Sequence, residues 1–460
     1  MEKKRSSFTG RIGFVFAAAG SAVGLGNLWR FPYLAAKYGG GIFLLSYVIL
    51  AVTFGFALML AEISIGRKTG KSAIEAYGSL NKKWGFLGKL TSIVPMIILP
   101  YYCVIGGWVI KYFVTFVSGQ GKAAAEAEFF TGFISKTGEP IVWLFVYIAL
   151  TAVVVMLGVE KGIEKFSKVL MPVLVALSLG IAIYTLTLPG AGAGVKYYFM
   201  PDFDKFSVMT VLAALGQLFY SLSISMGILI TYGSYMPKNT SIEKSVHQIE
   251  LFDSGIAIVA GLMIVPSVFV FTGGNEDMLQ AGAGLMFEML PKIFSTIPLG
   301  NIIGVVFFLL VFFAALTSSI SLMETVVSII QDKLHLKRTT ICLIVVAGCT
   351  LFALPSTLGF GLWENIKIFG LNFLDFFDFI SNSVIMPIVA LLTCIFVGYV
   401  IKPKTLSEEI ALTEKFKSEK IFTVIIKYIA PVCILAILIS SVLNGLGVIN
   451  FDSEYIKNYK

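Results

Sequence analysis

Eleven apolar stretches recur along this 460-residue chain, near residues 12–36, 41–65, 87–117, 141–158, 166–188, 208–236, 250–272, 294–330, 341–355, 371–400 and 421–447. About 20 such residues cross a bilayer as a helix. In hydrocarbon every backbone N–H and C=O must be paired internally, which leaves helices as the economical solution. Charged residues make up 13% of the chain and hydrophobic ones 57%, against about 25% charged in soluble domains. The expected fold is therefore all-α and polytopic, with about 11 transmembrane helices.

The first stretch breaks its own rule. Residues 20–30 read Gly-Ser-Ala-Val-Gly-Leu-Gly-Asn-Leu-Trp-Arg, with Pro32 just beyond. A glycine inside a helix costs about 1 kcal/mol relative to alanine. A helix broken at membrane depth is tolerated where its freed backbone lines a cavity or is covered by protein. Gly20 to Gly24 also fits a GxxxG packing face, but packing explains neither Asn27 nor Arg30. A binding site at the break does.

Lysine and arginine set the orientation. The amino-terminal tail holds Lys3, Lys4, Arg5 and Arg11, and the loop after span 2 holds Arg67, Lys68, Lys71, Lys82, Lys83 and Lys89. Alternate loops stay basic as far as Lys402, Lys404, Lys415, Lys417 and Lys420. The amino terminus is thus expected in the cytoplasm and the carboxyl tail outside. The net charge of +8 reads as topology, not as a nucleic-acid footprint. The basic start runs straight into span 1 without a small-residue cleavage site, so no cleaved leader is expected. The five cysteines (103, 342, 349, 394, 433) lie in apolar runs and read as small hydrophobes.

Span 6 carries a counterpart of the first break. Its centre is Ser221-Leu-Ser-Ile-Ser-Met-Gly227, three alternating serines and a glycine. Five spans cross an odd number of times, so a second set of five begins on the opposite face. Two interrupted segments in corresponding places point to a transporter site at the midplane. The expected organisation is a 1–11 cytoplasmic tail, repeat 1 over 12–188, an inverted repeat 2 over 208–400, span 11 at 421–447 and a 448–460 extracellular tail.

These strings carry a resemblance. GSAVGLGNLWRFP at 20–32 with GGG at 39–41, QLFYSLSISMG at 217–227, ALTSSIS at 315–321 and LDFFDF at 374–379 resemble, in order, the signatures of the neurotransmitter:sodium symporter family. The short loops, and a loop after span 3 without a cysteine pair, fit its prokaryotic branch of leucine and hydrophobic amino acid carriers. The resemblance implies sodium-coupled symport at the cell inner (plasma) membrane and no enzymatic activity.

The resemblance also implies a site, and the chemistry of the residues agrees. The upper half of span 1 would begin near Leu25, and its amides carry partial positive charge. Gly26 offers an N–H to a substrate carboxylate, and Tyr102 a hydroxyl to the same group. Gly24 stands where monoamine carriers place an aspartate, which argues for an amino acid that brings its own carboxylate. The substrate-binding set is Ala22, Gly24, Gly26, Ile98, Tyr102, Tyr220, Ser221, Ser223, Met226, Ser318 and Leu322. Met226 replaces a phenylalanine of leucine-selective members, which makes room for larger side chains.

Two Na⁺ ions follow by resemblance, and a hard cation wants oxygen ligands. Site 1 would use Ala22, Asn27, Ser221, Asp253 and the substrate carboxylate. Asp253 would add a fixed negative charge. Ala257 lacks the serine hydroxyl of chloride-dependent members, so chloride independence is expected. Site 2 would use the carbonyls of Gly20, Val23 and Ala314 with the hydroxyls of Thr317 and Ser318. Glu62 would accept amides freed by the breaks, or snorkel at a helix end. Gly162 and Pro172 resemble the G-x9-P element that unwinds to admit water to site 2.

Gates complete the reading. Arg30 lies four residues past Gly26, about 6 Å along a helix, where Asp378 and Gln217 would join it over Tyr220. Arg5 would pair with Asp332 at the inner end of span 8, beside Phe8, Ser234 and Tyr235. The string GRKTGKS at 66–72 is one residue short of a phosphate loop, since Ile65 stands where glycine is required. His247 and His335 are isolated. The expected partners are an L-amino acid and lipid. A proton-coupled carrier of the same fold, with Asp253 or Glu62 titrating, and a non-transporting amino-acid sensor are the competing readings.

Overall fold

A computed structural model describes residues 7–273, 283–334 and 336–445. Among the described residues nine helices are long and apolar enough to span a bilayer. They are Gly41–Thr69, Lys82–Val117, Gly138–Met156, Val159–Leu186, Ile242–Thr272, Gly300–Leu334, Arg338–Leu358, Phe373–Val400 and Glu419–Leu443. These are spans 2, 3, 4, 5, 7, 8, 9, 10 and 11. Span 1 is the bent pair Arg11–Ala22 and Gly26–Lys37, whose axes differ by 54°. Span 6 is also split, into Val208–Ser221 and Ile228–Ser234.

Both breaks fall where the sequence loads them. Val23 ends the lower half of span 1 in an extended conformation (ψ 97°). In span 6, Ser223, Ser225 and Gly227 all have positive φ, at 54°, 66° and 73°. Positive φ is costly for a residue with a side chain, so the two serines are held by their surroundings. One holder is the Glu62 carboxylate on span 2, which accepts the Ser225 amide at 2.8 Å. Glu62 is 1% exposed, which excludes the snorkelling alternative.

The broken spans sit inside the bundle. Span 1 packs against spans 5, 7 and 8, and span 8 runs along span 3. Leu45, Ile49, Val52, Val153, Ile183 and Leu351 point outward, as lipid-facing residues should. One boundary differs from expectation. The stretch at 294–330 is not one helix: Leu290–Thr296 is a separate short helix, and Leu299, at positive φ, turns the chain into span 8 at Gly300. Hydropathy runs through Ile297-Pro298-Leu299 unbroken, but proline after a short helix ends it. Span 7 begins at Ile242, well before the apolar run, because Ser241 caps it by accepting the Lys244 amide. The five cysteines are free.

Candidate functional site

The two breaks face each other, and a small cavity lies between them. Span 1 contributes Ala22, Gly24 and Gly26 to its wall, span 3 contributes Ile98 and Tyr102, and span 6 contributes Tyr220, Ser221, Ser223 and Met226. Ser318 and Leu322 close it from span 8. Every residue of the expected substrate set therefore lines this one cavity, joined by Ser21, Leu25 and Ile228. Sequence patterning had no means of separating those three from core residues.

One end of the cavity is polar. Leu25 and Gly26 begin the upper half of span 1, where a helix leaves its first amides without partners. The Tyr102 hydroxyl is buried and has no partner in good hydrogen-bond geometry among the described residues. A buried hydroxyl without a partner is costly, so this end suits an incoming acceptor. A Cβ on Gly24 would lie 2.7 Å from the Ser318 hydroxyl and 3.2 Å from that of Tyr102. The position thus has no room for a side chain. The packing reading of Gly20 and Gly24 is met as well, since a Cβ on Gly20 would lie 3.2 Å from Thr317.

Beside this end, Asp253 gathers Asn27 and Ser221, two of the residues named for the first ion. Its Oδ1 accepts from Asn27 Nδ2 at 2.8 Å and from the Ser221 hydroxyl at 2.7 Å. Oδ2 accepts from the Tyr47 hydroxyl at 3.1 Å, a contact the sequence gave no sign of. Asn27 Oδ1 accepts the Gly24 amide at 3.1 Å and ties the cluster to the break. Asp253 is 0% exposed, which excludes a solvated helix-end aspartate.

The second oxygen cluster lies where the lower half of span 1 ends. Ser318 Oγ donates to the Ser21 carbonyl at 3.1 Å and Ala314's at 3.2 Å. Thr317 Oγ1 lies 3.0 Å from the Ala314 carbonyl. Gly20 and Val23 sit at that helix end, whose last carbonyls lack amide partners and carry partial negative charge. Carbonyls and hydroxyls without a formal charge make a donor set for a monovalent hard cation.

The gate residues divide. On the outer side, among the described residues, Arg30 makes no ion pair with Asp378. Its guanidinium instead lies over the Tyr220 ring at 5.5 Å. Asp378 accepts from Asn382 at 2.7 Å and Tyr101 at 3.2 Å, and Gln217 Nε2 donates to the Gly26 carbonyl at 2.9 Å. On the inner side Arg5 lies outside the described residues, as does His335. Asp332 accepts from the Ser72 amide at 2.8 Å and its hydroxyl at 2.6 Å. Phe8 donates its amide to the Tyr235 carbonyl at 3.0 Å and packs edge-on against Phe14, Tyr232 and Tyr235.

Sequence reasoning missed the anchor of Tyr235. Its hydroxyl donates to Glu324 at 2.8 Å, and the buried Glu324 pairs with Arg338, which also holds the Val155 carbonyl. The would-be phosphate-loop arginine, Arg67, is buried in an ion pair with Glu409 at 2.9 Å. Glu75, between spans 2 and 3, has its pKa below the usual carboxylate range. Its slight burial pushes upward, and the hydrogen bonds and charges of Lys333 and Lys71 outweigh that.

The profile described as the sodium:neurotransmitter symporter family matches residues 5–122 and 125–459. A sodium-dependent transporter of Bacillus subtilis is 34% identical over 457 residues, covering 98% of this chain and all of its own. One from Haemophilus influenzae is 34% identical over 455 residues, covering 95% and 98%. This chain belongs to the sodium:neurotransmitter symporter family. The crystal structure of MhsT in complex with L-phenylalanine superposes with a TM-score of 0.85 at 38% identity, over 95% of this chain and 100% of MhsT. As a member of this family the chain is a multi-pass membrane transporter and not an enzyme.

Proposed function

We propose that this symporter carries hydrophobic L-amino acids, aromatic ones included, into the cell with two Na⁺ ions and without chloride. The observation that carries the proposal is Asp253. It is buried beneath three donors, and no described lysine or arginine pairs with it. A buried carboxylate without a countercharge is expensive and usually functional. The countercharge then arrives as cargo: Na⁺ meets Asp253, Asn27, Ser221 and the Ala22 carbonyl, and the substrate carboxylate completes the shell. Asp253 supplies the negative charge that a chloride would otherwise bring. The sodium-dependent relatives favour this choice of ion.

The other end of the cavity supports the substrate class. Ile98, Tyr220, Met226, Ile228 and Leu322 offer an apolar wall, with methionine as its adaptable member. A relative of the same fold binds L-phenylalanine. Alternating access follows from the gates. With the inner side held at Phe8 and Tyr235 and Arg30 not yet on Asp378, substrate and ions enter from outside. Closing Arg30 onto Asp378 over Tyr220 seals them, and loss of Na⁺ from Thr317 and Ser318 starts release. In this scheme the amino terminus is cytoplasmic, the carboxyl tail extracellular, and residues 12–188 and 208–400 are the inverted repeats of an inner (plasma) membrane protein.

Uptake of radiolabelled tryptophan, tyrosine and leucine into proteoliposomes tests this, under Na⁺, K⁺ or pH gradients and with gluconate in place of chloride. Accumulation that needs a Na⁺ gradient and ignores chloride is expected. Uptake driven by protons alone refutes the sodium sites, and sodium-dependent binding without accumulation marks a sensor.

A further inference from the structure

The lower half of span 1 begins without a cap of its own. Gly10 precedes its first residue, no side chain caps it, and its first turn has no acid. A helix start left this way has unpaired amides and an uncompensated positive end. The missing carboxylate comes from span 5. Glu164 Oε2 accepts the Thr9 amide at 2.9 Å, and Oε1 accepts the Thr9 hydroxyl. Lys168, one turn on, donates to Oε1 at 2.6 Å. The contact is built in from both sides. Glu164 is buried at 2% side-chain exposure although Lys168 is 42% exposed. Gly13 admits it, since a Cβ there would collide with the carboxylate.

Glu164 closes a weak piece of span 5. Residues Val159–Glu164 form a wide, π-helical turn that starts after Gly158 at φ 88° and contains Gly162. A Cβ on Gly162 would collide with the Val154 carbonyl, so the turn is pressed against the end of span 4. Such bulges are less regularly bonded than α-helix and cluster at functional places.

We infer that Glu164 is a positioning residue that holds Thr9, just ahead of span 1, lays its charge against the positive start of that helix, and ties the inner half of span 1 to the bulge of span 5. When residues 159–164 unwind, the carboxylate leaves Thr9 with them and the start of span 1 comes free. When they rewind, it is clamped again. Opening at the second ion cluster and release of Arg11–Ala22 are thereby one event. This rests on the transport reading for its purpose, and on the contacts alone for its mechanics.

The test is hydrogen exchange by mass spectrometry on the full chain in lipid nanodiscs with Na⁺, read alongside Na⁺-dependent uptake. Glu164→Ala should speed exchange across residues 7–15 by about 5- to 30-fold, the worth of the one or two kcal/mol held in its two hydrogen bonds to Thr9. Residues 159–164 should speed up with them, and 208–234 should stay at the wild-type rate. Glu164→Gln, which retains an acceptor, should fall between. Gly13→Ala should reproduce the pattern with Glu164 itself unsubstituted, and Lys168→Met, which strips the buried carboxylate of its countercharge, should also fall between wild type and Glu164→Ala. In uptake, the Na⁺ concentration for half-maximal rate should rise by a similar factor while the maximal rate persists. Unchanged exchange at 7–15 in Glu164→Ala overturns the inference, as does a rise spread evenly over the chain, which marks a merely structural residue. Because exchange is read without transport, inactive wild-type protein would count against the proposed function and leave the latch test standing.

Discussion

The two oxygen clusters stand on the same broken spans yet supply charge in different ways. Around Asp253 a formal negative charge is fixed by Asn27, Ser221 and Tyr47. Around Thr317 and Ser318 there are only hydroxyls and helix-end carbonyls. A buried formal charge draws a cation strongly, whereas neutral dipoles hold one weakly and tolerate its departure. The difference suits a division of labour. The charged cluster sits beside the polar end of the cavity, where the proposed function puts the substrate carboxylate, and the neutral one lies at the break of span 1, where that proposal has an ion leave.

The sharpest way to break this comparison is to remove the charge. Asp253→Ala should weaken Na⁺-dependent substrate binding by at least about 30-fold, in line with the 2–5 kcal/mol lost when one member of a buried charge pair is truncated. Scintillation proximity binding over a Na⁺ titration measures it, and a near wild-type curve would refute the assignment of the first site. Next comes the glycine between the clusters. Gly24→Ala puts a methyl against Ser318 and Tyr102, and overpacking costs about 1–3 kcal/mol. Substrate affinity should fall about 5- to 100-fold with thermal stability held by Na⁺ alone nearly unchanged.

Thr317→Ala should cost less, about 3- to 10-fold in Na⁺ affinity, because one neutral ligand is worth about 0.5–1.5 kcal/mol. A loss as large as that of Asp253→Ala would erase the contrast between the sites. Smallest is Tyr47→Phe, which removes one of three donors to Asp253. A shift of about threefold is expected, with chloride still without effect. Chloride-stimulated uptake in Tyr47→Phe would mean that Asp253 does not by itself replace the anion.

Legibility in the sequence followed the range of the interaction. The breaks were readable because glycines and serines at membrane depth are locally anomalous, whatever they meet. The apolar spans were readable because hydrocarbon demands internally bonded helices. The run through 294–300 misled because hydropathy does not distinguish a short helix outside the span from the span it leads into. Tyr47, Glu164, Glu324 and Arg338 were not singled out, since a lone polar residue in or beside an apolar run says nothing about its partner. Arg67 stood in plain view within a false motif, and its partner Glu409 lies 342 positions on.

The sequence by itself therefore determined the class of fold, the two interruptions and the kinds of atom available there. Each is set by the local cost of placing a residue in lipid. Tertiary structure decided which atoms face one another. It put Asp253 under Asn27, Ser221 and Tyr47, Glu164 against Thr9, and Arg30 over Tyr220 instead of on Asp378. Those pairings depend on how long helices pack side by side, and distance along the chain carries no record of it.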